Sequence, residues 1–210
     1  MTGTLRTSRP AAAYYKIMER YLLPRLPSWG LTPDRLTWLG MLISVSVPLG
    51  FWIHPAVGFL LLLLSGIADS LDGLMARLQN RSSRWGAFLD SSLDRVSDFF
   101  YLLGFWVLIG RYGGQGPATL AVFVCMLSTV LISYTKARAE GLGGTCQAGL
   151  MERGVRTVYL IAWALIITVW PSMRPAILWV GLLLFAVLTI FTVFQRWSHI
   201  AGQLSERQPP

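Results

Sequence analysis

Cysteine and histidine are scarce, with two of each among 210 residues. Cys125 and Cys146 are far apart, as are His54 and His199, so neither a disulfide framework nor a zinc site can be assembled from them. Charge is scarce as well. Only 13% of the residues are charged against 54% hydrophobic, which excludes a soluble domain of ordinary composition. Acid is the rarer sign, ten residues against eighteen basic ones. Met1–Gly30 lacks the apolar core of a cleavable signal peptide. There is no internal repeat and no second domain.

What the chain has instead is long apolar runs. A membrane span needs about 20 mostly apolar residues. Leu36–Ile53, Pro55–Ala68, Phe99–Gly110, Pro117–Tyr134, Val155–Trp170 and Ala176–Phe194 predict six spans. Three of these are short unless their polar helical flanks enter the membrane zone against other protein. Pro48 predicts a kink in the first. Ala11–Leu26 mixes Tyr, Ile, Met and Leu with Lys16, Glu19, Arg20 and Arg25, a pattern for an amphipathic helix on the membrane surface. The expected fold is therefore all-α and integral to the membrane: an N-terminal juxtamembrane segment over 1–30, a six-helix domain over 31–200, and a tail over 201–210.

Basic residues orient these spans. With the N-terminus in the cytoplasm, Arg111 and Arg174 fall outside, and the other sixteen of the eighteen Lys and Arg fall inside or at inner helix ends. Both termini are then cytoplasmic, as expected for a plasma-membrane protein of a prokaryote. The net charge of +8 reads as a signal of topology and of contact with anionic membrane lipids, not of nucleic-acid binding.

Five of the ten acidic residues lie between Asp69 and Asp98. Carboxylates in membrane segments are costly and mark function. Asp69, Asp72, Gly73, Ala76 and Arg77 share one helical face, and Gly86, Asp90, Asp94 and Asp98 share another. The short turn Leu78–Trp85 makes the two helices antiparallel neighbours, so two carboxylates from each can meet at the cytoplasmic end. Such a cluster stays charged only beside cations, and hard oxygen ligands suit Mg²⁺ or Mn²⁺. Four carboxylates, Asp69, Asp72, Asp90 and Asp94, suffice for two ions, the arrangement that serves phosphoryl transfer on a diphosphate. Gly73, Ala76 and Gly86 leave room between the helices, and Arg77 can grip a diphosphate oxygen. Asp98, one turn deeper, is set apart from the metal site.

With its gaps, the stretch Asp69-x₂-Asp72-Gly73-x₂-Ala76-Arg77-x₈-Gly86-x₃-Asp90-x₃-Asp94 resembles the signature of the CDP-alcohol phosphotransferases at all eight positions. The resemblance implies a CDP-linked lipid, usually CDP-diacylglycerol, with its diphosphate on the metals. An alcohol attacks the β-phosphorus and CMP leaves. Asp69, Asp72 and Asp90 would hold the metals. Asp94 would complete the site and act as general base. Gly73, Ala76, Arg77 and Gly86 would surround the CMP moiety. "LTPDRLT" (Leu31–Thr37) resembles the family's Pro–Thr segment near the cytidine, which adds Thr37. The family is usually homodimeric.

For the acceptor, Lys136, Arg138, Arg153, Arg156 and Arg196 gather on the cytoplasmic side, which suits a phosphorylated alcohol. "SYTKARAE" and Glu152-Arg153-x₂-Arg156 resemble the phosphatidylinositol phosphate synthase branch of that family. By that likeness Lys136, Arg153 and Arg196 would contact the phosphate of inositol phosphate. The Gly154-Val155 pair departs from the branch pattern, so glycerol-3-phosphate stays open as acceptor. Two other classes compete. An aspartate-rich membrane prenyltransferase is expected to show two Asp-rich loops and more spans. An ion transporter is expected to show inverted repeats and interrupted helices, and gives no reason for Arg77 and Gly86 at their spacing.

Overall fold

The structure is a computed structural model that describes residues 16, 18–26, 28, 30–78 and 83–205. Its long elements are six α-helices: α1 (Pro33–Ile53), α2 (Pro55–Leu78), α3 (Arg84–Gly110), α4 (Gln115–Gly141), α5 (Arg153–Val169) and α6 (Arg174–Ser205). No strand occurs among the described residues. The chain divides into two compact units, Met1–Gly104 and Phe105–Pro210.

Each expected span falls on one of these helices, with Trp170 alone just past the end of α5, but four of the six helices are long and apolar enough to cross a membrane, namely α1, α2, α4 and α6. The other two fall short for different reasons. α5 has 17 residues, and at about 1.5 Å per residue it covers roughly 26 Å of a hydrocarbon core about 30 Å thick. α3 is long enough but carries Arg84, Asp90, Asp94, Arg95 and Asp98 between its start and just past its middle. α1 runs on as one helix through Pro48.

Burial is arranged as a lipid solvent demands. On α4 the buried residues are Ala118, Val122, Cys125, Ser128, Thr129, Ile132, Thr135 and Ala139, whereas Leu120, Phe123, Leu127, Val130 and Tyr134 are exposed. The exposed side chains are large and apolar, and the buried ones, Val122 and Ile132 apart, are small or hydroxylated. That is the inverse of a soluble helix and the expected pattern where lipid replaces water.

In the first unit, α1 and α2 form an antiparallel hairpin turned at His54. The His54 N–H donates to the Gly50 carbonyl at 2.9 Å and closes α1. Its Nδ1 accepts from the Ala56 N–H at 3.2 Å and caps the start of α2. A helix-end cap is thus what this histidine supplies. At the other end of α1, Thr32 caps the helix through the Arg35 N–H at 3.3 Å, with Pro33 in the first turn. Helix backbones come close at Gly50, where a Cβ would stand 3.0 Å from Gly58 Cα. At Gly58 a Cβ would fall into the Phe51 ring.

Residues 11–15 and 17 of the expected surface helix lie outside the described residues. Within it, Met18–Leu22 forms a single π-type turn. Leu23 and Leu26 then bury against Leu36, Leu71, Leu74 and Met75, so this part of the segment packs on protein at the ends of α1 and α2.

In the second unit, α6 packs along α4 and also meets α5. Trp163 stacks on Phe105 at 3.9 Å between centroids and donates to the Ile177 carbonyl at 2.9 Å. Tyr159 donates to the Gly181 carbonyl at 2.7 Å. Ser128 donates to Thr189 across the α4–α6 seam at 2.8 Å, a buried pair of the kind that joins membrane helices.

The Gly58 contact gives a stability test. Gly58→Ala pushes a methyl into the Phe51 ring and is expected to destabilise by about 1–3 kcal/mol. Gly116→Ala, with nothing within 4 Å of its Cβ position, is expected to leave stability unchanged or slightly raised. Thermal unfolding of both variants in one detergent makes the comparison.

Candidate metal centre and the loop before α5

α2 presents Asp69 and Asp72 three residues apart on one face, and α3 presents Asp90. One carboxylate oxygen from each of the three lies within 4.8 Å of the others. Asp72 is 4% exposed, and Asp69 and Asp90 are half-buried. Two oxygens bound to one Mg²⁺ stand roughly 3 Å apart when adjacent and 4.2 Å when opposite, given bonds of about 2.1 Å. Only one of the three pairs can be opposite, so a shared ion draws the other two closer together, and an all-carboxylate donor set suits a hard divalent cation. Two unit charges 4.8 Å apart repel by about 3.5 kcal/mol at an effective dielectric of about 20. A cation at the centre reverses the sign of that interaction.

Asp94, expected as a fourth ligand, is not one of the three whose oxygens converge. It lies one turn beyond Asp90 on α3 and is buried at 7% exposure. Its Oδ2 is 4.0 Å from Arg95 Nη1, a contact weakened by the exposure of Arg95, whose guanidinium also donates to the Ser91 carbonyl. Asp98 is buried one turn further on.

The small residues of the motif are open or tightly capped. Gly73 is exposed, and a Cβ on it would meet only Arg77 Nη2, at 3.6 Å. Ala76 is half-buried. Gly86 stands in the first turn of α3, where its N–H donates to the Ser83 hydroxyl at 2.9 Å. That is an N-cap bond, and it fixes where α3 begins. A Cβ on Gly86 would also come within 3.6 Å of Asp34 Oδ1, which brings the start of α1 to this glycine. Thr37 donates its hydroxyl to the Pro33 carbonyl at 3.1 Å. Residues 79–82 of the connecting turn lie outside the described residues.

In the second unit, the segment between α4 and α5 is held by α6. Thr145 N–H donates to Gln203 Oε1 at 3.1 Å, Leu150 N–H to Gln195 Oε1 at 3.2 Å, and Met151 N–H to the Thr192 hydroxyl at 3.1 Å. Arg196 donates through Nε to the Ala148 carbonyl at 2.9 Å and through Nη1 to the Ile132 carbonyl. Gly149 sits at φ +125°, and a Cβ on it would come within 3.0 Å of Arg196 Nε. Only glycine combines that backbone with that contact. Arg156 is buried and donates to the Met151 carbonyl at 3.1 Å.

Of the three residues expected to meet the acceptor, Arg196 is thus the most constrained, at 4% exposure with two donors on backbone carbonyls. One of those carbonyls is one turn before Lys136. Lys136 is half-buried, with Glu140 Oε1 at 4.0 Å. Arg153 opens α5, half-buried, two residues after the pinned Met151 N–H. Sequence reasoning missed Thr192, Gln195 and Gln203. The signal was available: with Arg196 and His199 they make one polar stripe along the apolar run of α6.

The chain is similar along most of its length to known membrane-lipid synthases. The sequence profile of the family described as CDP-alcohol phosphatidyltransferase matches residues 30–192. The archaetidylinositol phosphate synthase of Methanothermobacter thermautotrophicus is 31% identical over 189 residues, covering 90% of this chain and 92% of that protein. The crystal structure of phosphatidylinositol phosphate synthase from Mycobacterium tuberculosis with CDP-DAG bound aligns with a TM-score of 0.70 at 32% identity, over 85% of this chain and 91% of that one. The same enzyme in complex with manganese and citrate gives a TM-score of 0.71 at 32% identity, over 85% and 87%.

Arg196→Met keeps the aliphatic stem and removes both carbonyl contacts. Hydrogen exchange at the Met151 amide is expected to speed up at least tenfold, with a stability loss of about 2–4 kcal/mol. Exchange measured by mass spectrometry on peptides covering 142–152 checks this.

Proposed function

Because the chain belongs to the CDP-alcohol phosphatidyltransferase family, we propose that it transfers a phosphatidyl group from CDP-diacylglycerol to a hydroxyl of inositol phosphate and releases CMP. The observation that carries this reading is the meeting of Asp69, Asp72 and Asp90 oxygens within 4.8 Å inside the family's motif. These three residues are the proposed ligands of Mg²⁺ or Mn²⁺, with Asp94 beside them. The bound ions, two in this reading, supply charge neutralisation on the diphosphate and at the developing oxyanions. A manganese-bound relative supports the choice of cation.

The chain's own residues do the rest. Arg77 holds a diphosphate oxygen, and Gly73, Ala76 and Gly86 admit the CMP moiety, with Thr37 near the cytidine. Asp94 accepts the proton of the acceptor hydroxyl as its oxygen bonds to the lipid-bearing phosphorus. The bond from that phosphorus to CMP breaks, and CMP leaves with the electron pair. The buried setting of Asp94 keeps bulk water from competing for the phosphorus.

Lys136, Arg153 and Arg196 are the proposed contacts for the acceptor phosphate. Their support is positive charge on the helices that flank one pinned loop, together with the two relatives named for inositol phosphate products. In the membrane, α3 and α5 complete a set of six spans with α1, α2, α4 and α6, their polar ends shielded by protein. The distribution of basic residues supports a reading with both termini and the carboxylates on the cytoplasmic side of a prokaryotic plasma membrane. A homodimer surrounded by membrane lipids is the proposed assembly.

The direct test is CMP release from CDP-diacylglycerol and Mg²⁺ by the purified protein. Inositol phosphate, glycerol-3-phosphate, inositol and serine are offered in parallel. Release is expected with inositol phosphate. A neutral or zwitterionic winner would overturn the phosphate role of Lys136, Arg153 and Arg196. In the same assay Asp94→Asn is expected to lower turnover by at least about 10²-fold with unchanged thermal stability. Normal turnover would remove Asp94 as the base.

A further inference from the structure

One hydrogen-bonded chain ties together the three helices of the first unit. The Ser65 hydroxyl of α2 is buried and donates to the Gly40 carbonyl of α1 at 2.7 Å. The same oxygen is 2.7 Å from the phenol oxygen of Tyr101 on α3. A serine hydroxyl has one proton. With that proton on Gly40, the Tyr101 O–H is the donor to Ser65. Three helices therefore meet at a single oxygen.

The position of this knot is informative. Ser65 precedes Asp69 by four residues and Asp72 by seven, so all three share a face of α2. Tyr101 follows Asp94 by seven residues and Asp90 by eleven, separations that return to the same face of α3. Long helical side chains lean toward their helix N-terminus, which carries the phenol back toward the aspartates. On the α1 side, a Cβ at Gly40 would stand 3.3 Å from Ala68 Cβ and 3.7 Å from the Asp69 nitrogen. The carbonyl that Ser65 grips thus belongs to the residue packed against the Asp69 backbone.

We infer that the Tyr101–Ser65–Gly40 chain is a positioning element for the metal centre, fixing the α2–α3 spacing at which the Asp69, Asp72 and Asp90 oxygens converge. It rests on the metal role proposed above. Lipid offers no hydrophobic drive between helices, so their separation is set by close packing and by bonds of this kind. The carboxylates themselves repel and would open the gap. Neither Ser65 nor Tyr101 touches an ion; both act through the helices that carry the ligands.

The test is Mn²⁺ titration of the full-length protein, with free ion read by electron paramagnetic resonance and with no substrate present. Tyr101→Phe and Ser65→Ala are each expected to weaken Mn²⁺ binding about threefold to tenfold, and the double variant no further, since both break one chain. Ser65→Thr restores the hydroxyl and is expected to bind as wild type does. Ser128→Ala, which breaks the buried Ser128–Thr189 bond of the second unit, is expected to lower the melting temperature and leave Mn²⁺ affinity alone. Wild-type affinity in Tyr101→Phe and Ser65→Ala, with lowered melting temperature, would overturn the inference and leave the chain as packing. Should Ser65→Ala fail to fold, Tyr101→Phe, which keeps the ring, decides. No Mn²⁺ binding by the wild type would instead overturn the metal role itself, and the inference with it.

Discussion

Like charges do not gather in a membrane protein without a reason, and the carboxylates of α2 and α3 are the constraint on which the first unit depends. Three acidic oxygens lie within 4.8 Å of one another, and one of their residues, Asp72, is almost completely buried. Their mutual repulsion, several kcal/mol by Coulomb's law at protein dielectric, opposes folding unless a cation joins them. The fold supplies what such a site needs. α2 and α3 bring their carboxylates together, Ser83 fixes the start of α3, and Gly73 leaves open space on the turn that follows Asp72. In the proposed role, the same repulsion that opposes folding favours a small divalent ion at the centre.

The second unit solves a different problem. The segment between α4 and α5, which itself carries no Lys or Arg, has backbone groups to satisfy and a fixed conformation to hold. α6 does both with one polar stripe, in which Thr192, Gln195 and Gln203 accept from backbone N–H groups while Arg196 donates to carbonyls. A buried guanidinium bound to carbonyls is constrained in position. A site for a phosphorylated acceptor needs such preorganisation, because a loose lysine or arginine spends its binding energy on ordering. In the proposed role, Arg196 is both a charge and a strut.

Much of this was legible in the sequence. Apolar runs located all six helices, because lipid-facing helices are apolar on nearly every side and cannot be mistaken for loops. The aspartate spacing located the converging carboxylates, because residues three and four apart must share a helical face. Other features were not legible. The apolar content of α3 and α5 looked like that of spans, yet α5 is short and α3 is charged from its start to just past its middle. The place of Asp94 depends on how α2 and α3 cross, which no spacing encodes. Leu23 and Leu26 read as a membrane-facing stripe, but an apolar stripe fits protein as well as lipid, and here it packs on α1 and α2. Arg196 read as an open positive charge, because its carbonyl partners are backbone atoms, invisible to composition.

The most direct measurement is anomalous diffraction from crystals of this protein soaked in Mn²⁺. The expected result is a manganese peak bonded, at about 2.2 Å, to carboxylate oxygens of Asp69, Asp72 and Asp90. Its loss in Asp72→Asn crystals would complete the assignment. Manganese found only elsewhere, with those three carboxylates turned apart, would contradict it.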